Sequence, residues 1–159
     1  ENNVIRNNVV HGSTKQGVLI QSSANRLESN VIVDAGEQSI YVVDAVASSS
    51  PTPSIADHNH LLRNVIYDTR SQRGDRFIAL KVSTEGNTVV GNVVSSQHGR
   101  EFKAIRPDVG NVERDNEYRR DVDQDQVQSL VQSNKERVAE HLELDESGQS
   151  SILDSPGGR

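Results

Sequence analysis

The chain has 159 residues and a net charge of -6, with 41 Val, Ile, Leu or Phe, only five aromatic side chains, and neither Cys nor Met. Without Cys there is no disulfide framework and no thiolate metal site, and no apolar run approaches the roughly 18 residues of a membrane span. An acidic balance and so few aromatics argue against both a basic surface for duplex nucleic acid and a stacking surface for single strands.

Taken in chain order, the first element is an asparagine pair, Asn3 and Asn8, with Ile5 between them and Val9-Val10 after. A strand signal, Gly17-Val18-Leu19-Ile20, leads to Asn25 and Asn30 with Leu27 between them and Val31-Ile32 after. Ser39-Ile40-Tyr41-Val42 follows, then an insertion from Asp44 to Asp57 whose Ser and Pro content marks a loop. Asn59 and Asn64 come next, with Leu61 and Val65-Ile66 in the same places. A shorter insertion, Asp68 to Arg76, carries Arg70, Arg73 and Arg76 before the strand Phe77-Ile78-Ala79-Leu80-Lys81-Val82. Asn87 and Asn92 enclose Val89 and precede Val93-Val94; Phe102-Lys103-Ala104-Ile105 then leads to Asn111 and Asn116. In this fifth copy Glu113 replaces the apolar residue, and Glu117-Tyr118 replaces the β-branched pair.

Ten of the thirteen Asn residues belong to these pairs, and successive pairs are offset by 22, 34, 28 and 24 residues. A constant core with variable insertions describes a solenoid, in which coils stack in register while turns lengthen freely. Period-two alternation points Val18, Ile20, Leu27, Ile32, Ile40, Val42, Leu61, Ile66, Ile78, Leu80, Val82, Val89 and Val94 inward. It points Leu19, Tyr41, Ala79 and Lys81 outward. Beyond Tyr118, Val127, Leu130, Val131, Val138 and Leu142 fall at helical offsets, predicting an amphipathic helix from about 123 to 143 that caps the terminal coil. The predicted organisation is therefore a β-solenoid over 1–118, a helix or cap over 119–144 and a flexible tail over 145–159. Because Asn3 already sits inside a coil, further coils are expected upstream of Glu1.

These residues resemble the right-handed parallel β-helix proteins of the pectin-lyase-like superfamily, over roughly residues 1 to 118. The form here is Gly-Val-Leu-Ile, four residues, then Asn-Arg-Leu-Glu-Ser-Asn-Val-Ile. The resemblance implies an all-β solenoid of about five coils, located outside the cytoplasm, acting on an acidic, uronate-containing polysaccharide by β-elimination or C5 epimerisation, with alginate lyases among its relatives. A non-catalytic module for surface adhesion, phage-tail architecture or carbohydrate binding is the alternative. The ten paired Asn are read as a structural ladder, since amides neither titrate nor attack.

Elimination or epimerisation at a uronate needs a neutralised carboxylate, a base for the C5 proton and a proton donor. Lys81, which interrupts an apolar outward strand one coil from Tyr41, is the leading candidate, with Arg106 and Tyr41 completing the catalytic set. Two alignments of the last coil compete: one places Lys103 over Ala79, the other places Arg106 over Lys81. Lys103, Arg76 and His60 are candidate substrate contacts, and calcium is a candidate cofactor for the sugar carboxylate. Asp57, His58 and His60 form a possible metal-binding trio.

Overall fold

The computed structural model describes residues 2–44, 55–69, 77–81, 83–96, 103–105 and 107–149, the side chains of 104, 107, 138 and 140–149 excepted. The asparagine repeat folds as a right-handed parallel β-helix. The segments flanked by each Asn pair are β1 (Val4–Arg6), β4 (Arg26–Glu28), β7 (His60–Leu62), β10 (Thr88–Val90) and β13 (Val112–Arg114). Those that follow the second Asn are β2 (Val9–His11), β5 (Val31–Val33), β8 (Val65–Asp68), β11 (Val93–Ser96) and β14 (Glu117–Arg119). The third strand of each turn is β3 (Val18–Ile20), β6 (Ile40–Val42), β9 (Ile78–Leu80) or β12 (Lys103–Ala104). Each set makes one parallel sheet, in the orders β1-β4-β7-β10-β13, β2-β5-β8-β11-β14 and β3-β6-β9-β12.

Strands this short cannot bury an apolar face alone, so stability comes from stacking like on like. Leu27, Leu61 and Val89 pair in register at the centre of the first sheet, and Ile32, Ile66 and Val94 at the centre of the second. Ile40 and Val42 stack beneath Ile78 and Leu80 in the third. These side chains are all buried, together with Phe77, and form one contiguous core. Of the inward positions expected from alternation, Val18 is half-buried and Val82 lies outside the described residues.

The corners are built by the ladder. Asn25 Oδ1 accepts both the backbone N–H and the Nδ2 of Asn3, at 3.2 and 2.9 Å, and Asn59 Oδ1 does the same for Asn25 at 2.9 and 3.0 Å. In the second ladder Asn30, Asn64 and Asn92 repeat this pattern coil by coil and end on Asn116. The remaining Nδ2 proton of Asn30, Asn64, Asn92 and Asn116 goes to the carbonyl of Ile5, Leu27, Leu61 and Val89 in turn. One amide per corner thus satisfies backbone groups on two coils that would otherwise be buried without partners.

The residue before every ladder Asn has a left-handed backbone, with φ between 51° and 75°: Asn2, Ala24, His58, Gly86 and Gly110 at one corner, Asn7, Ser29, Arg63, Gly91 and Asp115 at the other. A left-handed residue turns the chain sharply and aims the next side chain along the helix axis. Only three of these ten are Gly, so the ladder bonds hold the other seven in a conformation that costs an L-residue about 1 kcal/mol or more.

The chain divides into two units, 1–124 and 125–159. In the second, α1 (Gln124–Gln149) begins directly after Asp123, a residue type suited to an N-cap. Val127 is buried, Leu130 and Val131 are half-buried, and Ser129, Gln132 and Glu136 are exposed, so the expected apolar stripe is present over its first turns.

Candidate functional site

The outward face of the third sheet carries the column Leu19, Tyr41 and Ala79, set by the pairing of β3, β6 and β9. Leu19 is exposed and Tyr41 half-buried. Ala79 is only 5% exposed, a single methyl group on an inner strand. Lys81 follows β9 and is exposed. Its N–H donates to the Val42 carbonyl at 2.9 Å, and its carbonyl accepts the Thr84 N–H at 3.0 Å and the Thr84 hydroxyl at 2.8 Å. Thr84 is buried, and its own carbonyl accepts Asn111 Nδ2 at 3.1 Å. The backbone of Lys81 is therefore tied both to the neighbouring coil and to the ladder, while its side chain is free to meet a ligand.

Tyr41 is one coil from Lys81, as expected, but its register partner is Ala79. Ile40 pairs with Ile78 and Val42 with Leu80, which sets Tyr41 against Ala79. A two-residue slip would keep the alternation but withdraw Ile78 from the core, and the Ile40 N–H is pinned to the Phe77 carbonyl at 2.8 Å. Lys81 and Tyr41 are consequently diagonal neighbours on one face, with Cα atoms about 8 Å apart from strand spacing and rise.

β12 settles the last coil: Lys103 pairs with Ile78 and Ala104 with Ala79, so Lys103 does not lie over Ala79. It stands at an inward position. Its Nζ lies 2.6 Å from both oxygens of Glu113 and 5.0 Å from the centre of the Tyr118 ring. The Tyr118 hydroxyl donates to Glu113 Oε1 at 2.6 Å. Glu113 pairs with Val89 and Tyr118 with Val94, so both also occupy inward positions. Burial acts to raise the Glu113 carboxyl. Hydrogen bonds from Lys103 and Tyr118, the Lys103 charge and a bond from Asn116 outweigh it and hold the group below the ordinary carboxylate value. Burial, then the bond to Glu113 and its charge, raise the Tyr118 hydroxyl well above the usual phenol value. This triad is the feature that residue-type reasoning missed. Its signal was the repeat itself, because Glu113 and Tyr118 occupy the places of Val89 and Val94.

His60 opens β7 on the outward face of the first sheet, between Arg26 and Thr88, and so belongs to a different face from Lys81 and Tyr41. The trio of Asp57, His58 and His60 does not assemble. Asp57 Oδ1 accepts the Glu85 N–H at 2.7 Å, and the His58 ring lies where a side chain on Gly86 would stand, 2.9 Å from its Cβ position. Among the described residues no three His, Asp or Glu side chains are grouped to hold a metal ion. Arg106 and Arg76 lie outside the described residues. No described helix is long and apolar enough to cross a membrane.

Residues 1–103 match the family described as "Periplasmic copper-binding protein (NosD)". The chain belongs to this family. No curated protein and no solved structure matches it significantly.

Proposed function

We propose that this member of the NosD family is a periplasmic β-helix module that binds an extended acidic polysaccharide along the outward face of its third sheet. The observation that carries the reading is Lys81, an exposed cation on an otherwise apolar face, diagonal to the half-buried ring of Tyr41. An ammonium pairs with a sugar carboxylate, and a tyrosine offers both an apolar ring for a sugar face and a hydroxyl for its oxygens. Binding is the simpler reading because, among the described residues, Lys103 and Tyr118 are engaged with Glu113 and stand at inward positions away from this face. Lyase or C5-epimerase chemistry on the same face is the alternative that experiment separates.

The family description names copper, and among the described residues no three His, Asp or Glu side chains are grouped to hold that metal. Cys and Met, the soft ligands that select Cu(I), are missing from the sequence. Among the described residues, His11 ends β2, His60 begins β7, and the His58 ring packs over Gly86.

Calorimetric titration with uronate oligomers, with and without calcium, tests the proposal. Wild type is expected to bind, and Lys81→Ala and Tyr41→Ala each to weaken binding about tenfold at unchanged melting temperature. Unsaturated uronate absorbing in the ultraviolet, or exchange of the C5 hydrogen with solvent, would assign chemistry to the face instead. A wild-type chain that binds no uronate oligomer overturns the reading.

A further inference from the structure

The outward side of the first sheet gathers cations in a chain whose net charge is -6. Pairing in register sets Arg26 beside His60 in one column, and Glu28, Leu62, Val90 and Arg114 in succession in the other. Glu28 is the one acid at the outward positions of these strands.

Its partners cover it. The Glu28 carboxylate accepts Arg26 Nε at 2.7 Å and Arg63 Nη2 from the corner of the next coil. The side chain of Glu28 is only 16% exposed, whereas those of Arg26 and Arg63 are 48% and 66% exposed. An isolated surface ion pair contributes little to stability. Here one carboxylate holds two guanidinium groups side by side, with one positive charge in excess and N–H donors beyond those spent on Glu28. Two long side chains fixed before a partner arrives reduce the ordering cost of binding it.

Leu62 and Val90, both half-buried, separate this pair from the exposed Arg114. Three strand spacings of about 4.8 Å put the Arg114 backbone roughly 14 Å from that of Glu28. An extended chain advances about 3.3 Å per residue and turns alternate side chains to one side, so its residues i, i+2 and i+4 match the guanidinium pair, the aliphatic middle and Arg114. None of the five strands contains Phe, Tyr or Trp, the rings on which a sugar face packs. An apolar centre bordered by arginine is instead the make-up of a protein–protein contact.

We propose that the outward face of the first sheet docks an acidic, extended segment of a protein partner, of the form acid-x-aliphatic-x-acid. The segment lies across the strands, one acid on the Arg26 and Arg63 pair, the aliphatic residue over Leu62 and Val90, and the other acid on Arg114. Glu28 is the positioning residue that keeps the first two guanidinium groups together. Opposite charge steers the encounter, and the spacing selects the partner.

The probe is a fluorescein-labelled peptide, Gly-Glu-Ser-Leu-Ser-Glu-Gly, titrated with the full chain and followed by anisotropy. Wild type is expected to bind it, and Arg26→Gln with Arg63→Gln, or Arg114→Gln alone, to weaken binding about tenfold. Lys135→Gln, which removes a positive charge from α1, is expected to bind as wild type does. A shuffled peptide with adjacent acids, Gly-Glu-Glu-Ser-Leu-Ser-Gly, is expected to bind about fivefold more weakly. Absence of binding by wild type overturns the proposal, as does unchanged affinity in the arginine variants or equal affinity for the shuffled peptide. Tighter binding of a uronate oligomer than of the peptide, lost in the same arginine variants, would assign the face to a sugar polymer and overturn the protein partner. If the double variant does not fold, Arg114→Gln, which leaves both contacts of Glu28 in place, decides under the same criteria.

Discussion

Asn64 Oδ1 accepts two hydrogen bonds from Asn30 one coil away, from its backbone N–H at 3.1 Å and from its Nδ2 at 3.0 Å. Both residues are buried, and Asn64 in turn donates to Asn92 and to the Leu27 carbonyl. Asn64→Ala therefore orphans two donors on Asn30 and an acceptor on Leu27. The expected destabilisation is about 3 kcal/mol or more, because each unpartnered buried group costs roughly 1–3 kcal/mol. The same change at the exposed Asn8 should cost about 1 kcal/mol or less, since water replaces its partners. Urea denaturation of the two variants checks the contrast; equal losses would show that the ladder is not the source of stability.

Two glycines separate crowding from backbone strain. A Cβ on Gly36 would lie 2.1 Å from the Thr14 carbonyl oxygen and 2.4 Å from its carbon, and neither backbone atom can rotate away. Gly12 has φ +67° but open space around its Cβ position. Gly36→Ala is expected to cost about 3 kcal/mol, and Gly12→Ala about 1 kcal/mol. Thermal unfolding of both variants measures the difference, and a reversed order would contradict it.

Ala24 is the opposite case, an exposed residue at φ 58° with no side-chain group to hydrogen-bond its own turn. Ala24→Gly should raise stability by up to about 1 kcal/mol, the relieved left-handed strain exceeding the added entropy of the unfolded chain. A lower melting temperature for this variant would refute the strain argument.

The pairing of Glu113 makes stability depend on pH. Its folded value lies below the ordinary carboxylate value, so between the two the unfolded chain binds a proton that the folded chain does not. The contribution is therefore complete above about pH 4.3 and fades as pH falls through the lower folded value. Glu113→Gln should melt below wild type at neutral pH, with the gap closing in acid. A gap that stays constant into acid would mean that the carboxylate charge is not what Lys103 and Tyr118 recognise.

Much of the architecture was legible in local pattern because a solenoid repeats one local solution. The interval between Asn59 and Asn64, the central Leu61 and the pair Val65-Ile66 recur wherever a coil recurs. Stacking in register requires the same residue types at the same places, so the amino-acid sequence by itself determined the coils, the ladder and the inward columns. It did not determine the relation of Tyr41 to Lys81. That depended on which inward pairs would stack, and Ile40 chose Ile78. It also did not reveal that Lys103 faces the interior. In isolation a lysine after Phe102 reads as a surface cation, and only closure of three sheets brings its ammonium to Glu113 and the ring of Tyr118, 10 and 15 residues further along the chain. Periodicity is a property of neighbours along the chain, whereas a charge finds its partner through space, and that choice belongs to the tertiary structure.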